Sequence, residues 1–177
     1  TFFDDLWRDA WLIGPERFNT WPVISRLAAA APRRLEVAPG LRPRLPIAGT
    51  RFVDISPPAI RALRAAGGFA TRGSITALPF ADASFELVGA LDIVEHVDDD
   101  DRAFAELVRV AAPGARLLLS IPLHPSRWTT LDDIVGHRRR YEPARLLALL
   151  TAHGLTVEHT AEYSMQPKSS WLVDYGM

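Results

Sequence analysis

The residues of this chain that could do chemistry fall in short groups, each following an apolar, β-branched run. Asp54 closes Arg51-Phe-Val-Asp54 and is followed by Ile55, Ser56 and Pro57. An ionised carboxylate at such a tip offers two acceptor oxygens and no donor, which suits the paired hydroxyls of a ribose. Glu36 stands in the preceding run and opens Glu36-Val-Ala-Pro-Gly40. Asp92, Glu95 and His96 follow the run Phe85–Leu91, and a later stretch holds His124, Asp132, Asp133, His137 and Tyr141. Side chains of these types can take a proton from an O–H or N–H group held within hydrogen-bond reach. His137, His124 and Tyr141 are the candidate catalytic residues. His137, beside Arg138, Arg139 and Arg140, is a base or hydrogen-bond partner for an anionic or hydroxylated acceptor. The structural alternative is a clamp of these arginines on Asp132 or Asp133.

Such groups need elements that bring them to one place. Runs at Arg34–Val37, Arg51–Asp54, Phe85–Leu91, Arg116–Ile121 and Leu155–Tyr163 predict strands. Between them lie helix signals. Ser56-Pro57 is a start, with Ala59, Ile60, Leu63 and Ala66 on one side and Gly67-Gly68 as the stop. Asp98–Asp101 place negative charge at the start of a helix ending before Pro113-Gly114, and Pro143 opens another that stops at Gly154. The four-Asp run is assigned to helix initiation and to no chemistry. This alternation predicts an α/β, Rossmann-like three-layer sandwich with a mostly parallel central sheet in a single domain. In such sheets ligands bind beyond the carboxyl ends of the strands, where the strand order reverses. Residues 1–33, with Trp7, Trp11, Phe18 and Trp21, form a helical lead-in that packs on the domain or covers it as a lid, and residues 34–177 form the binding domain.

Composition narrows the partners. The chain has 177 residues, 48% of them hydrophobic, with 20 basic against 21 acidic side chains and a net charge of -1. One ordinary core is expected, and no global field draws a nucleic acid or an anionic membrane. The only basic run, Arg138–Arg140, is too short for a nucleic-acid surface. Absence of cysteine excludes disulfides and thiolate metal sites and fits a cytoplasmic location. No apolar run approaches the roughly 18 residues of a membrane span.

The first loop selects the kind of nucleoside ligand. A dinucleotide needs bare backbone against its pyrophosphate, yet Gly40 is the loop's one glycine, Pro39 lacks an N–H, and Pro43 and Pro46 shorten or distort the helix expected next. A cofactor without phosphates is favoured. From Arg34 to Tyr163 the chain resembles the class I S-adenosylmethionine-dependent methyltransferases. The resemblance is carried in order by Leu35-Glu-Val-Ala-Pro-Gly40, Phe52-Val-Asp-Ile-Ser56, Ala77-Leu-Pro-Phe-Ala-Asp-Ala-Ser-Phe85, Leu91-Asp-Ile-Val-Glu-His-Val97, Phe104-Ala-Glu-Leu-Val-Arg-Val110 and Pro113-Gly114. It implies S-adenosylmethionine as cofactor and S-adenosylhomocysteine as product. It further implies that Glu36, Val37, Ala38 and Gly40 lie beside the methionine part and that Asp54 holds the ribose. Ile55 would pack on adenine with Ser74 and Ile75 near its edge, and Leu91, Asp92 and His96 would lie toward the methionine or methyl end.

The expected activity is methyl transfer to a small-molecule acceptor by in-line displacement, with no nucleic acid, membrane or metal, since no spacing is specific to an ion. Two departures from the family pattern keep an alternative open. Ala38 and Arg42 stand where the family has glycines, and Ser74 where many relatives have an acid. A methyltransferase fold that binds or regulates without turnover is therefore the second reading, and a nicotinamide oxidoreductase, motivated by Asp54, the third.

Overall fold

The computed structural model of the chain describes residues 10–161. Its central β-branched runs, Arg34–Val37, Thr50–Asp54 and Phe85–Leu91, become strands because they are buried on both faces, as a parallel sheet covered by helices requires. The strands are β1 (Arg34–Val37), β2 (Thr50–Asp54), β3 (Phe69–Arg72), β4 (Phe85–Leu91) and β5 (Ala111–Ser120). All neighbours pair in parallel, in the order β3-β2-β1-β4-β5. The order reverses between β1 and β4, so the crevice for a ligand opens above those two strands.

The helices are α1 (Trp21–Ala29), α2 (Pro57–Ala65), α3 (Asp100–Val110), α4 (Thr130–Val135) and α5 (Pro143–Ala152). Ser56 and Pro57 start α2, which buries Ala59, Ile60 and Leu63. The acidic run starts α3, where the Asp99 carboxylate accepts from the Arg102 N–H at 2.9 Å. Ala103, Phe104, Leu107 and Val110 of α3 join Leu35, Val37, Val53, Phe85 and Val88 in the main core. On the other side, Ile24 and Ala28 of α1 pack with Leu45 and Leu87.

Several elements differ from the expectation. Residues 155–161 form no strand and are almost all exposed, and residues 162 and 163 of the expected strand lie outside the described residues, as does Trp7. β3 was not anticipated: it is four residues long at the sheet edge and buries only Ala70. β5 begins at Ala111 and carries Pro113-Gly114 inside it, at a shift of register between Phe85 and Leu87. An edge position tolerates that proline because its missing N–H has no ladder to break. No helix follows β1; residues 38–49 run as a loop of turns directly into β2. Prolines at 39, 43 and 46 each remove a helical donor, which accounts for the loss.

Candidate active site

The first loop is shaped from beneath by two buried acids. Ala38 and Gly40 both have left-handed backbone, φ 52° and 57°. Asp54, at the tip of β2, receives the Gly40 N–H on Oδ2 at 2.9 Å and the Ser56 N–H on Oδ1 at 2.8 Å. Glu36 is 1% exposed and turns into the loop, accepting from the Arg44 N–H at 2.8 Å and the Leu45 N–H at 2.9 Å. Burial pushes its carboxyl up to about 7 despite those two donors and the Arg44 charge. The loop that a helix would have held is thus hung on Glu36.

Across the crevice, β4 ends at Asp92, again with left-handed backbone, φ 58°. Asp92 accepts from the Ser120 hydroxyl and lies 3.5 Å from the Arg44 guanidinium. Burial raises its carboxyl, with Ser120 and Arg44 opposing the rise. Arg44 is 3% exposed and stacks on Phe18, 3.8 Å from the ring centroid, so the lead-in closes the crevice beside Asp92. The Ile13 N–H donates to the Leu41 carbonyl at 2.9 Å and ties the same two segments together.

Ile55 is 44% exposed at the crevice mouth, whereas Ile75 and Val37 are core and Leu91 is half-buried. Ser74 bonds Thr76 through both its hydroxyl and the Thr76 N–H.

Beyond Asp92 a second group forms from the turn Val94–His96 and the segment after α4. The His137 Nδ1 lies 2.8 Å from Asp132 Oδ1, and its Nε2 lies 3.7 Å from Glu95 Oε1. The His96 Nδ1 lies 3.1 Å from the Gly136 carbonyl, and the two imidazoles meet edge-on at 4.8 Å between centroids. Glu95 is 1% exposed, and burial pushes its carboxyl up to about 8. Burial likewise brings His96 down to about 4, against the Gly136 contact. Asp132 is the hub. Arg140 grips it through Nε–Oδ1 at 2.8 Å and Nη2–Oδ2 at 2.9 Å, while Thr129 donates from backbone and hydroxyl. Burial favours the neutral form of Asp132, but Arg140, Thr129 and His137 outweigh it and hold the carboxyl well below its usual range.

The arginine clamp considered from sequence is therefore present, on Asp132, and it orients His137 at the same time. The structure does not bring the other two candidate catalytic groups into this cluster. Tyr141 is 1% exposed in the core, and its hydroxyl donates to Asp100 at 2.8 Å. His124 is exposed with φ 60°, and its N–H donates to the Tyr141 carbonyl at 2.8 Å. Arg139 also pairs with Asp100 at 2.7 Å, so the acidic run at the start of α3 anchors the segment 138–141. Arg44 was missed from sequence. Its signal was an arginine between two prolines in a loop facing the crevice, but nothing in the sequence shows that Phe18 reaches it.

A cleft of about 510 Å³ lies at the opposite end of the sheet, among Arg33, Arg34, Arg51, Phe69 and Phe85 at the amino ends of the strands. It is remote from the loops that carry the acids and has no part in the site.

Residues 41–119 match the family model described as a methyltransferase domain. A protein of Mycolicibacterium smegmatis named as an S-adenosylmethionine-dependent methyltransferase is 35% identical over 92 residues, which cover 50% of this chain and 35% of that protein. The chain thus spans about a third of the length of that curated relative. Among solved structures, the YcgJ protein of Bacillus subtilis superimposes with a TM-score of 0.62 at 18% identity, covering 86% of this chain and 76% of that one. A Haloferax volcanii methyltransferase solved with the activator Trm112 gives 0.69 at 15% identity, covering 99% and 86%. The fold is the Rossmann-like one shared with these solved structures. The chain is similar to S-adenosylmethionine-dependent methyltransferases, proteins whose cofactor is S-adenosylmethionine.

The residues present fit the adenosyl half of that cofactor. Ile55 presents apolar surface beside the Asp54 carboxylate, and the Ser56 hydroxyl is buried there with no hydrogen-bond partner. At the methionine half, Arg44 supplies a cation able to hold a carboxylate.

Proposed function

We propose that this chain transfers the methyl group of S-adenosylmethionine to a small-molecule oxygen or nitrogen acceptor. The single observation carrying the reading is the placement of Asp54, Asp92 and the Glu95-His96-His137 group at the carboxyl ends of β2 and β4, around the reversal of strand order. The bound cofactor supplies an electrophilic methyl carbon on a sulfonium with a good leaving group. The protein supplies alignment and exclusion of water. Asp54 receives the ribose hydroxyls and Ile55 the adenine face. Arg44 holds the carboxylate and is itself positioned by Phe18 and Asp92. His137, held by Asp132, would meet the acceptor and accept its proton or hydrogen bond.

A small acceptor is supported by the near-neutral charge and by Leu131 and Ile134, which expose apolar surface on α4 beside this segment. The reaction belongs in the cytoplasm on the strength of the cysteine-free sequence; no helix of the described residues is long and apolar enough to cross a membrane.

The test is calorimetric titration with S-adenosylhomocysteine, with a dinucleotide as control. We expect micromolar affinity, about -8 kcal/mol, and a loss of tenfold or more in Asp54→Asn. The second reading, a binding or regulatory module that has lost methyl transfer and with it most of its cofactor affinity, is favoured by the left-handed Ala38. Absence of binding at about millimolar ligand would make that module the conclusion and exclude the transferase.

A further inference from the structure

We infer that Glu95, His96 and His137 form a binding site for one divalent transition-metal ion, on the acceptor side of the crevice. One ligand atom from each of the three lies within 4.8 Å of the others. Three groups bound to a common ion at about 2.1 Å stand roughly 3.4 Å apart in tetrahedral geometry, so a small inward movement of side chains completes the set. This revises the expectation of a metal-free site. That expectation came from sequence, where Glu95-His96 and His137 are separated by two helices and a strand and show no recognisable spacing.

Three independent features point to an ion. Both imidazoles have Nδ1 engaged, His137 by the Asp132 carboxylate at 2.8 Å and His96 by the Gly136 carbonyl at 3.1 Å. With the Asp132 carboxylate at its Nδ1, His137 carries its proton there and presents the Nε2 lone pair toward Glu95 Oε1, 3.7 Å away, and carboxylate–histidine pairs of this kind orient metal ligands generally. Glu95 is 1% exposed, yet its Oε2 accepts no hydrogen bond, and a buried carboxylate oxygen left so is costly unless a cation or donor reaches it. Finally, the cations already present are committed elsewhere: Arg140 grips Asp132, and Arg138 pairs with Asp98. Two imidazoles with one carboxylate favour zinc, manganese, iron or cobalt over magnesium, and three protein ligands leave open positions.

The inference rests on the methyltransferase reading for its use. At an open position the ion would draw the acceptor oxygen or nitrogen to the end of β4, and His137 would then meet the acceptor through the ion. Its test needs neither acceptor nor cofactor. Tag-free protein freed of metal by a chelator is titrated with Zn²⁺, and separately with Co²⁺ while its visible absorption is followed. We expect one ion per chain at micromolar affinity or better and a Co²⁺ spectrum of fewer than six ligands. His96→Gln and His137→Gln should each weaken binding by about tenfold or more with an unchanged circular dichroism spectrum. Should these variants fail to fold, proton NMR of the Co²⁺-loaded native chain decides, through two strongly shifted, exchange-protected imidazole N–H signals. Saturation only above about millimolar metal, variants that bind as well as the parent, or absence of the two shifted signals overturns the site and leaves S-adenosylhomocysteine binding to be judged separately.

Discussion

At the scale of single residues, one acid and one alanine carry the testable content of the first loop. The Glu36 carboxyl is raised from its ordinary value to about 7 because burial outweighs its two backbone donors. Folded protein therefore binds this proton more tightly than unfolded protein, so its contribution to stability is complete below the unfolded pKa and is lost as pH rises through about 7. Glu36→Gln should flatten the fall in melting temperature between about pH 4.5 and 7, a difference of roughly 1 to 3 kcal/mol across that window. An unchanged slope would place the titration elsewhere. Ala38 holds φ 52°, which costs an L-residue about 1 kcal/mol or more. Ala38→Gly should therefore raise stability by up to about 1 kcal/mol, after the greater freedom of glycine in the unfolded chain is subtracted. Chemical denaturation gives the answer directly. The strain at Ala38 was legible in sequence because glycines occupy that position in the family pattern. The direction of Glu36 was not, since it depends on a loop that takes the place of a helix.

At the scale of elements, β1, β4, α2 and α3 were legible nearly to the residue. Each has two-sided burial or an explicit punctuation mark, such as Ser56-Pro57 or the acidic run before α3. β3 was not, because Phe69-Ala-Thr-Arg buries one side chain and carries no alternation. Leu155–Tyr163 looked like a strand from composition alone, and composition does not supply a partner ladder. The segment 137–141 was identified as chemistry-bearing, and the structure adds what holds it: Asp132 from α4 and Asp100 from α3. The Tyr141 hydroxyl donates to a charged acceptor from a core position, so Tyr141→Phe should cost about 1.5 to 3 kcal/mol of stability in denaturant. Its affinity for S-adenosylhomocysteine should stay within about twofold, a loss of 0.4 kcal/mol or less. A large loss of affinity with no loss of stability would instead move Tyr141 into the binding site.

At the scale of the whole molecule, the crevice is a seam between two halves of the sheet. Arg34 lies opposite Thr50 on one side of β1 but opposite Leu87 on the other. The pairings within β1-β2-β3 and within β4-β5 join residues near in sequence, and the β1–β4 pairing alone spans a long stretch of chain. The partly exposed Arg33–Glu86 pair at 3.0 Å lies across it, and Leu35 and Val37 of β1 share the core with Val88 and Ala90 of β4. A ligand touching Asp54 on one side and Asp92 on the other crosses this seam, so saturating S-adenosylhomocysteine at 100 times its Kd should stabilise the fold by about 2.7 kcal/mol. The seam also sets an order of assembly. The two local half-sheets can form before the distant one closes, because loop closure is least costly between near neighbours in the chain. The crevice is then the last region to be built during folding, and refolding jumps should show substitutions at the β1–β4 contact slowing only the final phase.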